Sequence, residues 1–241
     1  MFETINSDDQ LERDNLLSNL LIHDLNQILQ NIRTSSELTD LYINDPKLSH
    51  KVKGLIETIK QQTARGFRLI SNIHKLSQLE NDQLNLHKIE VCELMKIAIN
   101  FVKNPLKENV TFKVDSSFKK YYVFANNLLQ DVFENLLINA VVHNENTLIE
   151  ISIKVSEVHK GKKIYLKMEF MDNGIGIDDV KKKNLFKLKT INLTNGRSMG
   201  FGLFLVKNLV DSYKGEIWVE DKVKGDSSKG SNFILLIPKA V

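Results

Sequence analysis

The sequence predicts an α+β protein in two parts: a long antiparallel helical hairpin, then a sandwich with helices on one face of a β-sheet. Three observations predict it. Residues 10–81 hold one proline and two glycines and keep apolar side chains at helical spacing. Beyond residue 84, short strand-like and helix-like runs alternate. The change of character falls at Asn81-Asp82-Gln83, which divides the chain into residues 1–82 and 83–241.

In the first helix Leu17, Leu21, Leu25, Ile28 and Ile32 form a coiled-coil-like seam. Asn44-Asp45-Pro46 ends it, because proline removes a backbone donor and restricts the residue before it. A second helix carries Val52, Leu55, Ile56 and Ile59, then Phe67, Ile70, Ile73 and Leu76. A lone hairpin cannot bury such a stripe, whereas two can, so the expectation is a homodimer through a four-helix bundle. After it, residues 84–91 read as a strand, 93–103 as a helix, and 111–114 and 121–124 as strands. Residues 127–142 read as an amphipathic helix. Residues 149–155 and 164–170 read as strands joined through His159-Lys160-Gly161-Lys162. Residues 216–220 and 232–237 read as a last hairpin around Lys224-Gly225-Asp226.

Composition narrows the classes. Of the 241 residues 42% are hydrophobic and 26% charged, which is ordinary for a folded protein. The formal net charge is +3, with lysines and acids interspersed, so no nucleic-acid partner is expected. The single cysteine, Cys92, cannot form an internal disulfide; it reads as a small buried hydrophobe and fits a reducing setting. No apolar run approaches the ~20 residues that cross a bilayer. The expectation is a soluble cytoplasmic protein, or the cytoplasmic portion of a longer chain with an upstream sensor or membrane region.

Three separated motifs carry chemistry. In Glu134-Asn135-Leu136-Leu137-Ile138-Asn139-Ala140, Asn135 and Asn139 share one helix face. Two asparagines on a helix need polar partners, which water supplies on a solvated face and phosphate with Mg²⁺ supplies in a site. Asp172-Asn173-Gly174-Ile175-Gly176-Ile177 follows a strand. A carboxylate there accepts from an exocyclic amine, and glycines let the backbone approach a flat ring; the same string also suits an ordinary tight turn. Gly200-Phe201-Gly202-Leu203 opens an apolar helix, whose free N–H groups attract phosphate.

In order and spacing these resemble the N, G1 and G2 boxes of the GHKL (Bergerat) ATP-binding fold. Histidine kinases, type II topoisomerases, heat-shock chaperones of the ninety-kilodalton class and mismatch-repair ATPases share that fold. Leu185-Phe186 resembles its F box, and residues 187–199 its lid. The resemblance implies ATP with Mg²⁺: Asn139 as Mg²⁺ ligand supported by Asn135, and Asp172 on the adenine amino group. Gly174, Gly176 and Ile177 would shape the pocket. Gly200, Gly202 and Leu203 would contact phosphate at the lid hinge. Lid residues Arg197, Ser198 and Met199 are further candidates, Arg197 either as a phosphate ligand or as a solvated charge. Many relatives carry a cation three residues after the second asparagine; here Val142 stands there, and His143 and Asn144 follow as substitutes.

His23 lies in Leu21-Ile22-His23-Asp24-Leu25-Asn26-Gln27. Steps of about 100° per residue place it nearly opposite the seam, on a stripe with Gln27, Gln30 and Thr34. An exposed imidazole beside an acid suits nucleophilic attack. The string resembles the H box of sensor histidine kinases. That resemblance implies autophosphorylation of His23, with Asp24 readying the ring, and transfer to an aspartate of a response regulator. Gln27 stands at the fourth position after His23, where many relatives have Thr or Asn. It lies one turn along the same face, and its amide both donates and accepts, so it is the candidate to hold water in a regulator phosphatase step. A nucleotide-binding scaffold or phosphatase of the same architecture, and an ATP-hydrolysing clamp, are the rival readings. The clamp needs an acid on the asparagine face, and Glu134 lies about 100° away from it.

Overall fold

The computed structural model describes residues 7–80, 85–103, 109–116, 120–187 and 201–240, apart from the side chains of residues 7–16, 20, 80 and 116. The expected lid residues Arg197, Ser198 and Met199, and Gly200, lie outside the described residues, as do the side chains of Leu16 and Leu20. Among the described residues the chain divides into two compact units, one reaching to His74 and one built from residues 75–187 and 202–240.

The first unit is a helical hairpin of α1 (Ser7–Ile43) and the part of α2 (Val52–Glu80) up to His74, joined by a turn and a short 3₁₀ segment, Ser49–Lys51. Asp45 organises the turn: its Oδ1 accepts from Lys47 N at 2.8 Å, and its carbonyl accepts from the N–H groups of Leu48 and Ser49. The expected seam is shifted in phase. Ile28 and Leu69 are buried, and Leu17, Leu21 and Ile32 are partly so, but Leu25 is exposed together with Ile22 and Leu29. Two polar residues, Asp24 and Ser35, occupy buried positions of α1 instead. The pattern of apolar residues alone skips such positions.

In the second unit a five-stranded sheet runs in the order β2 (Val110–Ser116), β4 (Ile149–Lys160), β5 (Lys163–Asp172), β7 (Asp226–Pro238), β6 (Glu216–Val223). β2 pairs parallel with β4, and the other pairs are antiparallel. β1 (His87–Glu90) and β3 (Tyr122–Ala125) form a separate ribbon. The expected strand at 84–91 stops at Glu90 because that carboxylate accepts from the N–H groups of Cys92 and Glu93. It thereby caps α3 (Val91–Lys103).

Alternation along β5 buries Leu166, Met168, Phe170 and Asp172 on one face. On β4, Ile151, Ile153 and Val155 do the same. α4 (Leu129–Val142) buries Leu129, Val132, Phe133, Leu136, Leu137 and Ala140, an apolar stripe at helical spacing. It meets the sheet through Phe133 and Phe170, whose ring centroids are 5.8 Å apart. α6 (Phe201–Ser212) buries Leu203, Leu205, Val206, Leu209 and Val210. A four-residue helix, α5 (Asp179–Lys182), which the sequence reading lacks, starts at Asp178, whose side chain accepts from Lys181 N at 2.9 Å.

Candidate active site

The alternation that buries Leu166, Met168 and Phe170 carries Asp172 inward as the last residue of β5. Its Oδ1 accepts from Gly174 N at 2.7 Å and from Ser231 N at 3.2 Å. Burial pushes this carboxyl up from its ordinary value, against the two N–H groups that stabilise its charge. Asp172 lines a cavity of about 240 Å³ together with Asn139, His143, Gly176, Ile177 and Leu203, all singled out from sequence. Ile175, Lys181, Leu185, Ser231 and Phe233 complete the lining.

The two asparagines of α4 have different surroundings. Asn139 lines the cavity, whereas Asn135 donates from Nδ2 to the carbonyl of Asp131 at 2.8 Å. Its Oδ1 faces Gly202, where a Cβ would lie 2.5 Å from it. Gly202 therefore lets α6 approach the asparagine helix, a matter of close contact between two helices. Gly176 has φ +71°, and a Cβ there would fall 1.5 Å from the carbonyl oxygen of Ser227. Only glycine satisfies both conditions.

His143 caps the end of α4, and its carbonyl accepts from Ile175 N at 3.3 Å. A Cβ at Gly174 would come within 2.6 Å of that oxygen. Asn144, expected at the ligand, is not among the lining residues; its Nδ2 donates to Asn173 Oδ1 at 2.7 Å. Asn173 also accepts from Glu150 N and donates to the carbonyl of Leu148, so it ties the loop to the start of β4. Leu185 lines the cavity, while Phe186 meets the Phe233 ring edge-on at 6.4 Å. Lys181 supplies a cation that sequence reading missed; its place one turn after the Asp178 cap was the available signal.

In the first unit the His23 side chain is 42% exposed. Its Nδ1 is shut off from solvent and lies 3.8 Å from Oδ1 of Asp24, too long for a hydrogen bond. Asp24 is itself buried, at 6% exposure, and Arg65 of α2 brings NH2 to 3.9 Å from the same Oδ1. Sequence reading missed Arg65, one of several charges along an amphipathic helix. Gln30 and Thr34 are exposed, as the helical stripe predicts, whereas Gln27, expected with them, is half-buried.

Residues 125–241 match the family model of the histidine kinase-, DNA gyrase B- and HSP90-like ATPases. The adaptive-response sensory kinase SasA of Synechocystis is 26% identical over 238 residues, which cover 94% of this chain and 59% of that protein. The autoinducer 2 sensor kinase/phosphatase LuxQ of Vibrio vulnificus is 26% identical over 226 residues, covering 90% of this chain and 25% of that protein. Residues 125–241 therefore form a GHKL-type ATP-binding domain, and the chain as a whole is similar to sensor kinases. A crystal structure of histidine kinase ThkA in complex with response regulator protein TrrA shares its fold, with a TM-score of 0.62 at 20% identity. That match covers 100% of this chain and 68% of the other. The chain spans between a quarter and three fifths of the length of the curated relatives named above. No helix among its described residues is long and apolar enough to cross a membrane.

The cavity fits a nucleotide. Its walls are mainly aliphatic and aromatic, with one buried carboxylate at the sheet end and one asparagine on the helix. No group of three or more His, Cys, Asp or Glu that could hold a metal ion occurs among the described residues. A Mg²⁺ that keeps water and phosphate oxygens needs only one or two protein ligands, and Asn139 fits that part.

Proposed function

We propose that this chain phosphorylates its own His23 from ATP and passes the phosphoryl group to an aspartate of a response-regulator receiver domain. Residues 1–82 act as the phosphotransfer hairpin and residues 83–241 as the nucleotide-binding domain, at work in the cytoplasm. The observation that carries the reading is the state of His23: one ring nitrogen sealed against a buried acid, the other left accessible. Asp24 favours the proton on Nδ1 and so leaves the Nε2 lone pair free. Nε2 forms a bond to the γ-phosphorus, the bond from phosphorus to the bridging oxygen breaks, and ADP leaves with that electron pair. Asp24 stabilises the positive charge that develops on the ring. Asp172 receives the adenine amino group on the oxygen that Gly174 and Ser231 do not use. Asn139 would meet the phosphates, and Lys181, which lines the cavity while its Nζ pairs with Asp178 Oδ2 at 3.1 Å, would stand at the cavity mouth. Asn139 would hold Mg²⁺, which would supply neutralisation of phosphate charge.

Glu134 hydrogen-bonds Gln130 at 2.7 Å and is not among the cavity-lining residues, which speaks against an ATP-hydrolysing clamp. Incubation with γ-labelled ATP tests the reading. Acid-labile label on the protein is the expected result, and free phosphate alone overturns it. For a phosphatase step, Gln27→Ala should slow dephosphorylation of a cognate regulator while sparing the labelling of His23. An unchanged dephosphorylation rate would remove Gln27 from that role.

A homodimer belongs to the same proposal. Ile22, Leu25 and Leu29 on α1 are 41–59% exposed, and Ile56, Phe67 and Ile70 on α2 are 41–70% exposed. On each helix the three fall within an arc of about 60°, a concentrated apolar strip that a second copy of the hairpin would cover. Phe67→Glu should therefore shift the protein to monomer in light scattering at micromolar concentration, with helicity retained. A dimer as stable as wild type would place the interface elsewhere.

A further inference from the structure

We infer that Arg65 is a positioning residue for the kinase reaction, acting through Asp24 to hold the imidazole of His23 in its reactive tautomer. The inference rests on the reading of His23 as phosphoacceptor. It begins from an anomaly in the hairpin: Asp24 sits at a buried position of α1, between the seam residues Leu21 and Ile28, where an apolar side chain is expected. A carboxylate there loses its hydration and tends to take up a proton unless a cation stands close. Arg65 is that cation. Its guanidinium stays charged throughout the working pH range, its side chain is only 13% exposed, and its NH2 lies 3.9 Å from Asp24 Oδ1. The same oxygen lies 3.8 Å from His23 Nδ1. One carboxylate oxygen therefore stands between the reacting ring and a cation on the opposite helix.

The consequence is specific to protonation. Burial raises the Asp24 carboxyl, and Arg65, followed by His23, opposes that rise. Among the described residues, the charged groups around Asp24 are His23 on its own helix and Arg65 on α2, with Arg68 beside Arg65. An ionised Asp24 attracts the Nδ1 proton and leaves Nε2 as the nucleophile. A protonated Asp24 gives no such preference, and the ring is free to carry its proton on Nε2, where it cannot attack. Without Arg65 the Asp24 carboxyl should therefore hold its proton to higher pH, and the rate should fall on the acid side only.

The test is the pH profile of initial labelling from γ-labelled ATP, measured on the full chain. In Arg65→Gln the acid limb is expected to move up by about one pH unit, so that the rate falls by up to about tenfold at pH below the wild-type limb and recovers toward wild type above the shifted one. Arg65→Lys, which keeps the charge, should stay near the wild-type profile. Arg65→Met, which keeps the apolar stem, should behave as Arg65→Gln, with circular dichroism and light scattering showing the fold retained. In an Asp24→Asn background, Arg65→Gln should change the residual rate little, because the path through Asp24 is gone. An unmoved acid limb in folded Arg65→Gln or Arg65→Met overturns the inference. So does a pH-independent loss shared by Arg65→Lys, or an additive loss in the Asp24→Asn background. If label persists in His23→Ala, the phosphoacceptor reading itself fails, whatever Arg65 does.

Discussion

Changing His23 to alanine is expected to abolish acid-labile labelling from γ-labelled ATP while leaving ADP affinity within about twofold of wild type. The expectation follows from where the groups sit. Every residue that lines the nucleotide cavity comes from residues 139–233, and none comes from α1. Removing an imidazole from α1 therefore deletes the nucleophile without touching the cavity. The other histidines offer no equivalent. His50, His74, His87 and His159 are exposed, and His143 holds the G1 loop through its carbonyl. The His23 ring has Nδ1 shut from solvent, 3.8 Å from the buried carboxylate of Asp24. Labelling and calorimetry on the same preparation check both halves of the expectation. Persistent acid-labile label in His23→Ala would move the acceptor to another residue. Loss of ADP binding would show that the two sites are not separable.

The nucleotide site was legible because strand alternation and glycine chemistry are local. Asp172 follows Phe170 by two residues, so the strand that buries one buries the other. Gly176 needs a conformation open to few other residues, and that need shows in the string itself. Ser231 and Phe233 were not legible, because the pairing of β5 with β7 brings them to the end of β5, beside Asp172 and Phe170. No spacing along the chain encodes a contact across 59 residues. The phase of α1 failed for a different reason. Leu17, Leu21, Leu25, Ile28 and Ile32 all fall within an arc of about 80°, and the hairpin uses one edge of it. Asp24 and Ser35 fill that edge, so an apolar pattern places the centre too far round and assigns the exposed Leu25 to the core. Arg65 went unread with them, since its partner is a buried acid that the pattern had placed outside.

Asp172→Asn is the second substitution with a large expected effect, and it separates binding from stability. Asparagine fits the same space, and its amide oxygen takes over the N–H groups of Gly174 and Ser231 that now reach Oδ1. Its NH₂ then points where the adenine amino group should donate, two donors face one another, and affinity should fall by about 1–3 kcal/mol. Without nucleotide the sign is reversed. Burial raises the Asp172 carboxyl above its unfolded value, so the folded state holds that proton more tightly. The resulting stability is complete below the unfolded value and is lost as pH rises through the folded one. At neutral pH the ionised wild-type carboxylate is therefore a cost to the fold that the neutral asparagine avoids. The variant should melt at or above the wild-type Tm at neutral pH, and the difference should close as pH falls through the folded carboxyl value. Calorimetric titration with ADP and melting curves at acid and neutral pH measure the two effects. Unchanged ADP affinity would show that Asp172 does not read the adenine. A Tm well below wild type would mean that its carboxylate holds the loop in a way the amide cannot copy.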